Sequence, residues 1–433
     1  MHLAVNKLST LRLTGGTFKC IIFCIFINFE GKIMLTLDKI YHARYVLHDA
    51  IRQTDMIYSP VFSQESGCEV YLKTENLQVT GSFKVRGAYY KISQLNEQDK
   101  SRGVIACSAG NHAQGVALAS KKFGIKSIIC MPDGAPISKV EATKSYGAEI
   151  VLVPGVYDDA HKRAERLKVE KGYTFIHPFD DEDVIAGQGT IGLEIIDQLK
   201  DVDAIIMPVG GGGLAAGVAF AVKSLNPRVK IYGVQSDGAP SMLKSLEHNK
   251  IECLPSIATI ADGIAVKEPG PLTFKLCAKY LDGIVSVSDD QISAAILALI
   301  EKQKMIAEGA GAVGLAAIMF DKIPDIKGKK VCCLISGGNI DVTILSRVIN
   351  RGLLMGGRQC SLTLELADKP GQLVAVSTII AKCGGNVTGV LHERTNEGSA
   401  ITGCYLKLQI ETRNAEHIKE IKQKLAESGF KVL

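Results

Sequence analysis

A lysine does covalent chemistry near neutral pH only where burial or a neighbouring positive charge makes it shed its proton. One lysine in this 433-residue chain lies in a segment suited to that, Thr80-Gly81-Ser82-Phe83-Lys84-Val85-Arg86-Gly87-Ala88. The small residues and glycines around Lys84 leave room for other groups to reach its amine. Such an amine could form an imine with a carbonyl compound and, once released, take up a proton as a base. Taken alone, the segment reads more simply as a surface lysine at a helix start.

Four further segments carry donors or small residues. Ser108-Ala109-Gly110-Asn111-His112-Ala113-Gln114-Gly115 follows an apolar run and opens an amphipathic stretch. Unpaired N–H groups at a helix N-terminus can receive a carboxylate, and Asn111 adds a side-chain donor. Ser108 or Asn111 could equally be a plain helix cap, and His112 reads as a packed or solvated histidine before it reads as a catalytic one. Gly210-Gly211-Gly212-Gly213-Leu214 also joins an apolar run to a helix, where backbone N–H groups can crowd around a phosphate. The same run fits the loose dinucleotide pattern G-x-G-x-x-A, with Asp237 in the place of a ribose-binding acid, so a nicotinamide-dependent fold stays open here. Ser336-Gly337-Gly338-Asn339 reads as a strand-to-helix turn, and Glu308-Gly309-Ala310-Gly311-Ala312 as a stretch where backbone can approach a ligand.

The elements that must position these segments alternate. Short β-rich apolar runs at 69–73, 103–107, 127–131, 149–153, 174–177, 204–209, 230–234 and 330–335 are separated by helix-like stretches at 113–123, 138–146, 158–171, 191–199 and 214–224. Parallel strands with helical crossovers follow, hence an α/β sandwich with both sheet faces covered. Ligands of such sheets bind beyond the carboxyl ends of the strands, where the glycine-rich segments lie. Composition shifts at 351–358 (RGLLMGGR), which reads as a linker. The remaining 359–433 has the order βαββαβ of a ferredoxin-like module, with a turn at Asp368-Lys369-Pro370-Gly371. The catalytic domain is expected at 34–350. The apolar run at 20–29 is too short to cross a membrane and lacks a small-x-small cleavage pattern after it, so 1–33 is expected as an extension outside the fold.

Bulk properties exclude several classes. A formal charge of +5, with basic residues dispersed, argues against nucleic acid or an anionic membrane as partner. The twelve cysteines are scattered through apolar runs without C-x-x-C pairs or zinc-like spacing, which suits free thiols in a reducing cytoplasm.

Together and in this order, TGSFKVRGA, SAGNHAQG, VGGGGL and SGGN resemble the serine/threonine dehydratase family of fold type II enzymes that use pyridoxal phosphate (PLP), over roughly 41–350. The tail with ADKPGQL is similar to an ACT regulatory domain. The resemblance implies a two-subdomain α/β fold like the tryptophan synthase β chain, plus the ferredoxin-like module. It implies Lys84 as the lysine carrying the cofactor and as the catalytic base, Phe83 beside the cofactor ring, and Asn111 on the ring hydroxyl. It also implies Gly210, Gly211, Gly212, Gly213 and Leu214 on the phosphate, Ser336 at the pyridine nitrogen, and Ser108, Ala109, Gly110, Asn111 and His112 around the substrate carboxylate. The implied reaction is deamination of L-threonine to 2-oxobutanoate, with serine giving pyruvate as a side activity. Serine racemase or serine dehydratase, and a non-catalytic PLP-binding regulator, are the alternatives. Related serine racemases have a second serine where this chain has Ala109, which carries no exchangeable proton. Some relatives bind a divalent cation with an acid where Gln235 stands, so no metal is expected there. An amino-acid or nucleotide effector and a homo-oligomer, dimer or tetramer, are further implications.

Overall fold

Strands that are apolar on both sides need cover above and below, and helices provide it on both faces of two parallel or mostly parallel sheets. The computed structural model describes residues 35–394 and 403–433, so the expected extension at 1–33 lies outside the described residues. In the smaller sheet Val104–Cys107 pairs with Ser127–Pro132 and Thr174–Phe175, and Glu149–Val153 lies beyond Ser127–Pro132, all parallel. Val104, Ala106, Ile129 and Met131 face one side with Ala113, Val116 and Ala117 of the helix Asn111–Phe123. Ile105, Cys107, Ile128 and Cys130 face the other, against Ala160, Ala164 and Leu167 of Tyr157–Lys171. That is the period-two alternation of a strand with a hydrophobic neighbour on each face.

The larger sheet runs in the order Met56–Tyr58, Glu69–Lys73, Lys330–Leu334, Ala204–Pro208, Lys230–Ser236, Gly283–Val287. The first pair is antiparallel and the rest are parallel. Its two edge strands were not foreseen: Met56–Tyr58 has three residues, too few to show a period, and Gly283–Val287 is mostly half-buried, without a continuous apolar run. The helix expected at 191–199 begins at Glu182, where Asp181 accepts from the N–H groups of Asp183 and Val184. Its glycines mask the helical pattern because they serve close packing: a Cβ on Gly217 of the neighbouring helix would lie 2.3 Å from the Ile185 carbonyl oxygen.

The linker expected at 351–358 is corrected in part, since the helix Val342–Met355 runs through 351–355. Ile344, Leu345 and Val348 pack on the core of the larger sheet, and Arg351 pairs with Asp290 at 2.9 Å, so burial and charge override the local glycines. Beyond it, Gln359–Ala367, Asn386–Glu393, Gly403–Glu411 and Lys431–Val432 form an antiparallel sheet. The helices Gln372–Cys383 and Ala415–Glu427 cover one face of it through Val376, Ile380, Ile421 and Leu425. The strand order, second-third-first-fourth, is that of a ferredoxin-like sandwich. All ten cysteines among the described residues are free thiols, and seven are buried. No helix among the described residues is long and apolar enough to cross a membrane.

The helix Lys84–Ser93 is held by a buried network of two cations and two carboxylates. Arg86, wholly buried, donates to Glu75 at 2.7 and 2.8 Å and to Glu194 at 2.6 and 3.0 Å. Lys73 donates to Glu194 at 2.6 Å and to the Thr54 carbonyl at 2.7 Å. Two residues from Lys84, this cluster fixes where the helix begins. Deleting one member strands a buried charge, so Arg86→Met should cost about 3–5 kcal/mol in a urea titration of the purified protein. A midpoint unchanged within error would contradict that role.

Candidate active site

Lys84 is the first residue of its helix, and Phe83, at the cap position, offers no side-chain cap. The half-buried amine donates to the Pro178 carbonyl at 2.9 Å and lies 5.3 Å from the centre of the Phe83 ring. Burial drags this amine down to about 8, with the Glu308 carboxyl pulling the other way. A lysine poised there can exist as a free base close to neutral pH.

Asn111 opens its helix behind Gly110, which provides no side-chain cap, so Asn111 is not spent on capping. Its Nδ2 donates to Glu308 Oε1 at 2.6 Å, and its Oδ1 accepts from Asn339 Nδ2 at 2.8 Å. Asn339 Nδ2 also donates to the Thr80 carbonyl at 2.8 Å. The backbone ties the same segments: Phe83 N–H donates to the Ser336 carbonyl at 3.1 Å, Gly338 N–H to Gly81 at 2.9 Å, and Glu308 N–H to Gly337 at 3.0 Å. A Cβ on Gly337 would sit 2.4 Å from Glu308 Oε1, so any larger residue would have to displace that carboxyl. Four segments spread along the sequence therefore meet in one knot.

Glu308 received no role in the sequence reading, which noted only the small residues after it. Its carboxyl is buried. Burial first, and the charge of Asp262 second, push it up to about 7, against the pull of Lys139, the Asn111 bond and Lys84. An acid directly followed by Gly-Ala-Gly-Ala was the available signal, since small neighbours let backbone close over a side chain. Burial thus shifts Lys84 down and Glu308 up, bringing an amine and a carboxyl of one site toward neutrality, the kind of arrangement that acid–base chemistry uses.

Gly210, Gly211, Gly212, Gly213 and Leu214 lead from the strand Ala204–Pro208 into the helix Gly213–Leu225. Gly212 caps that helix at φ +94°, a left-handed conformation costly for other residues. The first N–H groups of the helix lack partners within it, a ready anion site. The loop is braced from Lys84's side. Asp180 Oδ1 accepts from Leu272 and Thr273 N–H at 3.0 Å each, and Thr273 Oγ1 donates to the Gly211 carbonyl at 2.6 Å. His177 Nδ1 accepts from Asp180 N–H at 2.7 Å, shaping the turn that carries Pro178. None of His177, Pro178, Phe179, Asp180 and Thr273 was singled out from sequence, because they lie in unpatterned turns.

The remaining expected residues are placed as follows. Ser336 is buried behind Phe83. Ser108 Oγ accepts from Gly110 N–H at 3.1 Å, within the loop that includes Ala109. His112 is buried, with Nε2 at 2.8 Å from the Ile176 carbonyl, and burial and the Lys84 charge push it down to about 3. Its ring is thus a neutral one packed into the core. The donor set fits pyridoxal phosphate: a base-forming amine, a helix-end glycine loop, an amide, and the buried Ser82 hydroxyl, which has no partner among the described residues.

Comparison with known proteins gives a consistent result. The family described as pyridoxal-phosphate dependent enzymes matches residues 47–337. An L-threonine ammonia-lyase of Thermotoga maritima is 48% identical over 399 residues, 92% of this chain and 99% of that protein. The processed form of threonine deaminase isoform 2 from Solanum lycopersicum shares 39% identity at a TM-score of 0.69, covering 72% of this chain and 93% of that one. Maize serine racemase shares 35% identity at a TM-score of 0.69, covering 74% and 98%.

The lowered basicity of Lys84 has a direct readout. In the cofactor-free protein, the rate at which an amine-selective acylating reagent modifies Lys84 should level off above a pH of about 8. A rate still climbing past pH about 10, as for an ordinary lysine, would contradict the burial argument.

Proposed function

The chain belongs to the pyridoxal-phosphate dependent enzyme family, and from that premise we propose that it converts L-threonine to 2-oxobutanoate and ammonia, with serine giving pyruvate as a side reaction. The observation that carries the reading is the Lys84 amine, held half-buried by its bond to the Pro178 carbonyl and within the influence of the Glu308 charge. When bound, pyridoxal phosphate supplies an aldehyde that condenses with amines and a ring that accepts electron density from the substrate α carbon. Lys84 would carry it, Phe83 flank its ring, Asn111 meet its hydroxyl, Ser336 meet its ring nitrogen, and Gly210 to Gly213 with Leu214 hold its phosphate.

The chain's own groups then divide the work. Backbone N–H groups of the loop Ser108 to His112 receive the substrate carboxylate and set which bond at the α carbon faces Lys84. Lys84 Nζ, released as a free amine, takes the α proton as general base. Glu308 holds the Asn111 amide in one orientation, and Asn339 fixes its other end, so the amide that would meet the cofactor hydroxyl is held against rotation. A neutral hydroxyl at Ser336, where a carboxylate could have stood, would leave the cofactor's ring nitrogen largely unprotonated and so favour loss of the β-hydroxyl over transamination. Overall, threonine loses water and regains it on hydrolysis, so 2-oxobutanoate and ammonia balance the substrate. Ala109 offers no proton to the face opposite Lys84, which favours elimination over the racemisation named for the maize relative.

The C-terminal sandwich is read as an ACT-like regulatory module over 359–433, after a short connection ending at 358, with 34–350 as the catalytic part and an amino acid or nucleotide as effector. Exposed Leu373, Val374, Val390 and Leu391 on that module support assembly of the chain into a homo-oligomer, dimer or tetramer. Free buried thiols support a reducing, cytoplasmic setting.

A steady-state comparison tests the reading. Wild-type enzyme should turn over threonine in preference to serine, form no D-serine, and respond to a branched-chain amino acid or to AMP or ADP. Lys84→Ala should lower 2-oxobutanoate formation by more than about 10²-fold. Unchanged turnover in that variant would end the assignment.

A further inference from the structure

We propose that Asp368, His392 and Cys404 form a three-ligand site for a divalent cation of the zinc class, at one end of the C-terminal sheet. Asp Oδ, His ring nitrogen and Cys Sγ lie within 4.8 Å of one another. The sheet register explains why. Leu366 pairs with Cys404 and His392 with Leu406. Paired residues share a face, and so do residues two apart on a strand, so Cys404, Leu406, Leu366 and His392 all project to the helix-covered side. Asp368 follows Leu366 by two and continues that line past the strand end. Cys404, Leu406 and Leu366 are buried beneath the helices, whereas His392 and Asp368 lie outside their cover and are exposed. The result is a buried thiol backed by core, with an imidazole and a carboxylate at the solvent edge.

The donor set selects the metal. Thiolate and imidazole favour zinc and its neighbours over magnesium or calcium, which prefer oxygen donors. Zinc bonds of about 2.0–2.3 Å in a tetrahedron bring ligand atoms to about 3.3–3.7 Å apart, a short adjustment that the two exposed side chains can supply. Arg394 Nε lies 3.1 Å from Asp368 Oδ2, so one carboxylate oxygen stays with the guanidinium and the other faces the ion, an outer partner that orients a ligand. On binding, Cys404 gives its proton to solvent and the ion gains a thiolate, while the fourth position stays with water. The ligands are separated by 24 and 12 positions in the chain, so no spacing motif reveals them; only the strand pairing does.

The test uses the full-length holoenzyme, stripped of adventitious metal by a chelator and titrated calorimetrically with zinc ion. One equivalent per chain should bind. His392→Ala, exposed and harmless to packing, should weaken binding at least as much as the roughly 10- to 100-fold lost on removing an outer partner. Asp368→Ala and Cys404→Ser should do the same. Cys253→Ser, which removes the cysteine exposed elsewhere among the described residues, should leave binding intact. Threonine turnover without zinc should match wild type in the His392 variant. No stoichiometric binding to wild type, binding unchanged by His392→Ala, or binding lost only in the Cys253 variant would overturn the proposal.

Discussion

The structure depends on keeping one lysine amine short of water while leaving it a way to lose its proton. Burial lowers Lys84 to about 8, and the same burial raises Glu308 to about 7. Neither shift would survive if the Ser82, Gly337 and Asn111 segments did not close over the pair, because water would restore both groups to their ordinary values. The two sheets, with the core on both faces of each, exist in this sense to bring four loop segments together around one half-buried amine.

Rigidity there comes from outside the site. Arg86 points away from the chemistry but is bound by Glu75 and Glu194, which are anchored in a short turn and in the helix Glu182–Gln198. Such a network need not add much net stability, since desolvation offsets its attraction; it does penalise any other register of the Lys84 helix. On the opposite side, the chain of contacts from Pro178 through Asp180 and Thr273 to Gly211 sets the distance between amine and glycine loop. One end of that span suits an aldehyde and the other a phosphate.

Much of this was legible from residues alone. Seven of the eight apolar runs became strands of four residues or more, because each was long enough to show itself and was flanked by turn residues; the run at 174–177 kept only the two-residue strand Thr174–Phe175, at the edge of its sheet. The glycine-rich segments fell at strand ends because crossover connections put them there. The edge strands Met56–Tyr58 and Gly283–Val287 escaped because short or half-exposed strands carry no period, and the helix at 351–355 escaped because Gly352 suggested a break that packing against Leu297 overrode. Lys84 and Asn111 could be named from their segments, but Glu308 could not be assigned. A carboxylate's role depends on what surrounds it in space, and its neighbours Asn111 and Gly337 are distant in sequence. The ring of His112 followed the plainer reading for the same reason: a histidine between a helix start and a core turns inward when a carbonyl such as that of Ile176 awaits it.

The most direct measurement is borohydride reduction of the purified holoenzyme followed by peptide mapping, which fixes the cofactor to whichever amine carries it. The account predicts a pyridoxyl group on the peptide containing Lys84 and on no other. Label on a different lysine, or a cofactor that washes away after reduction, would contradict it.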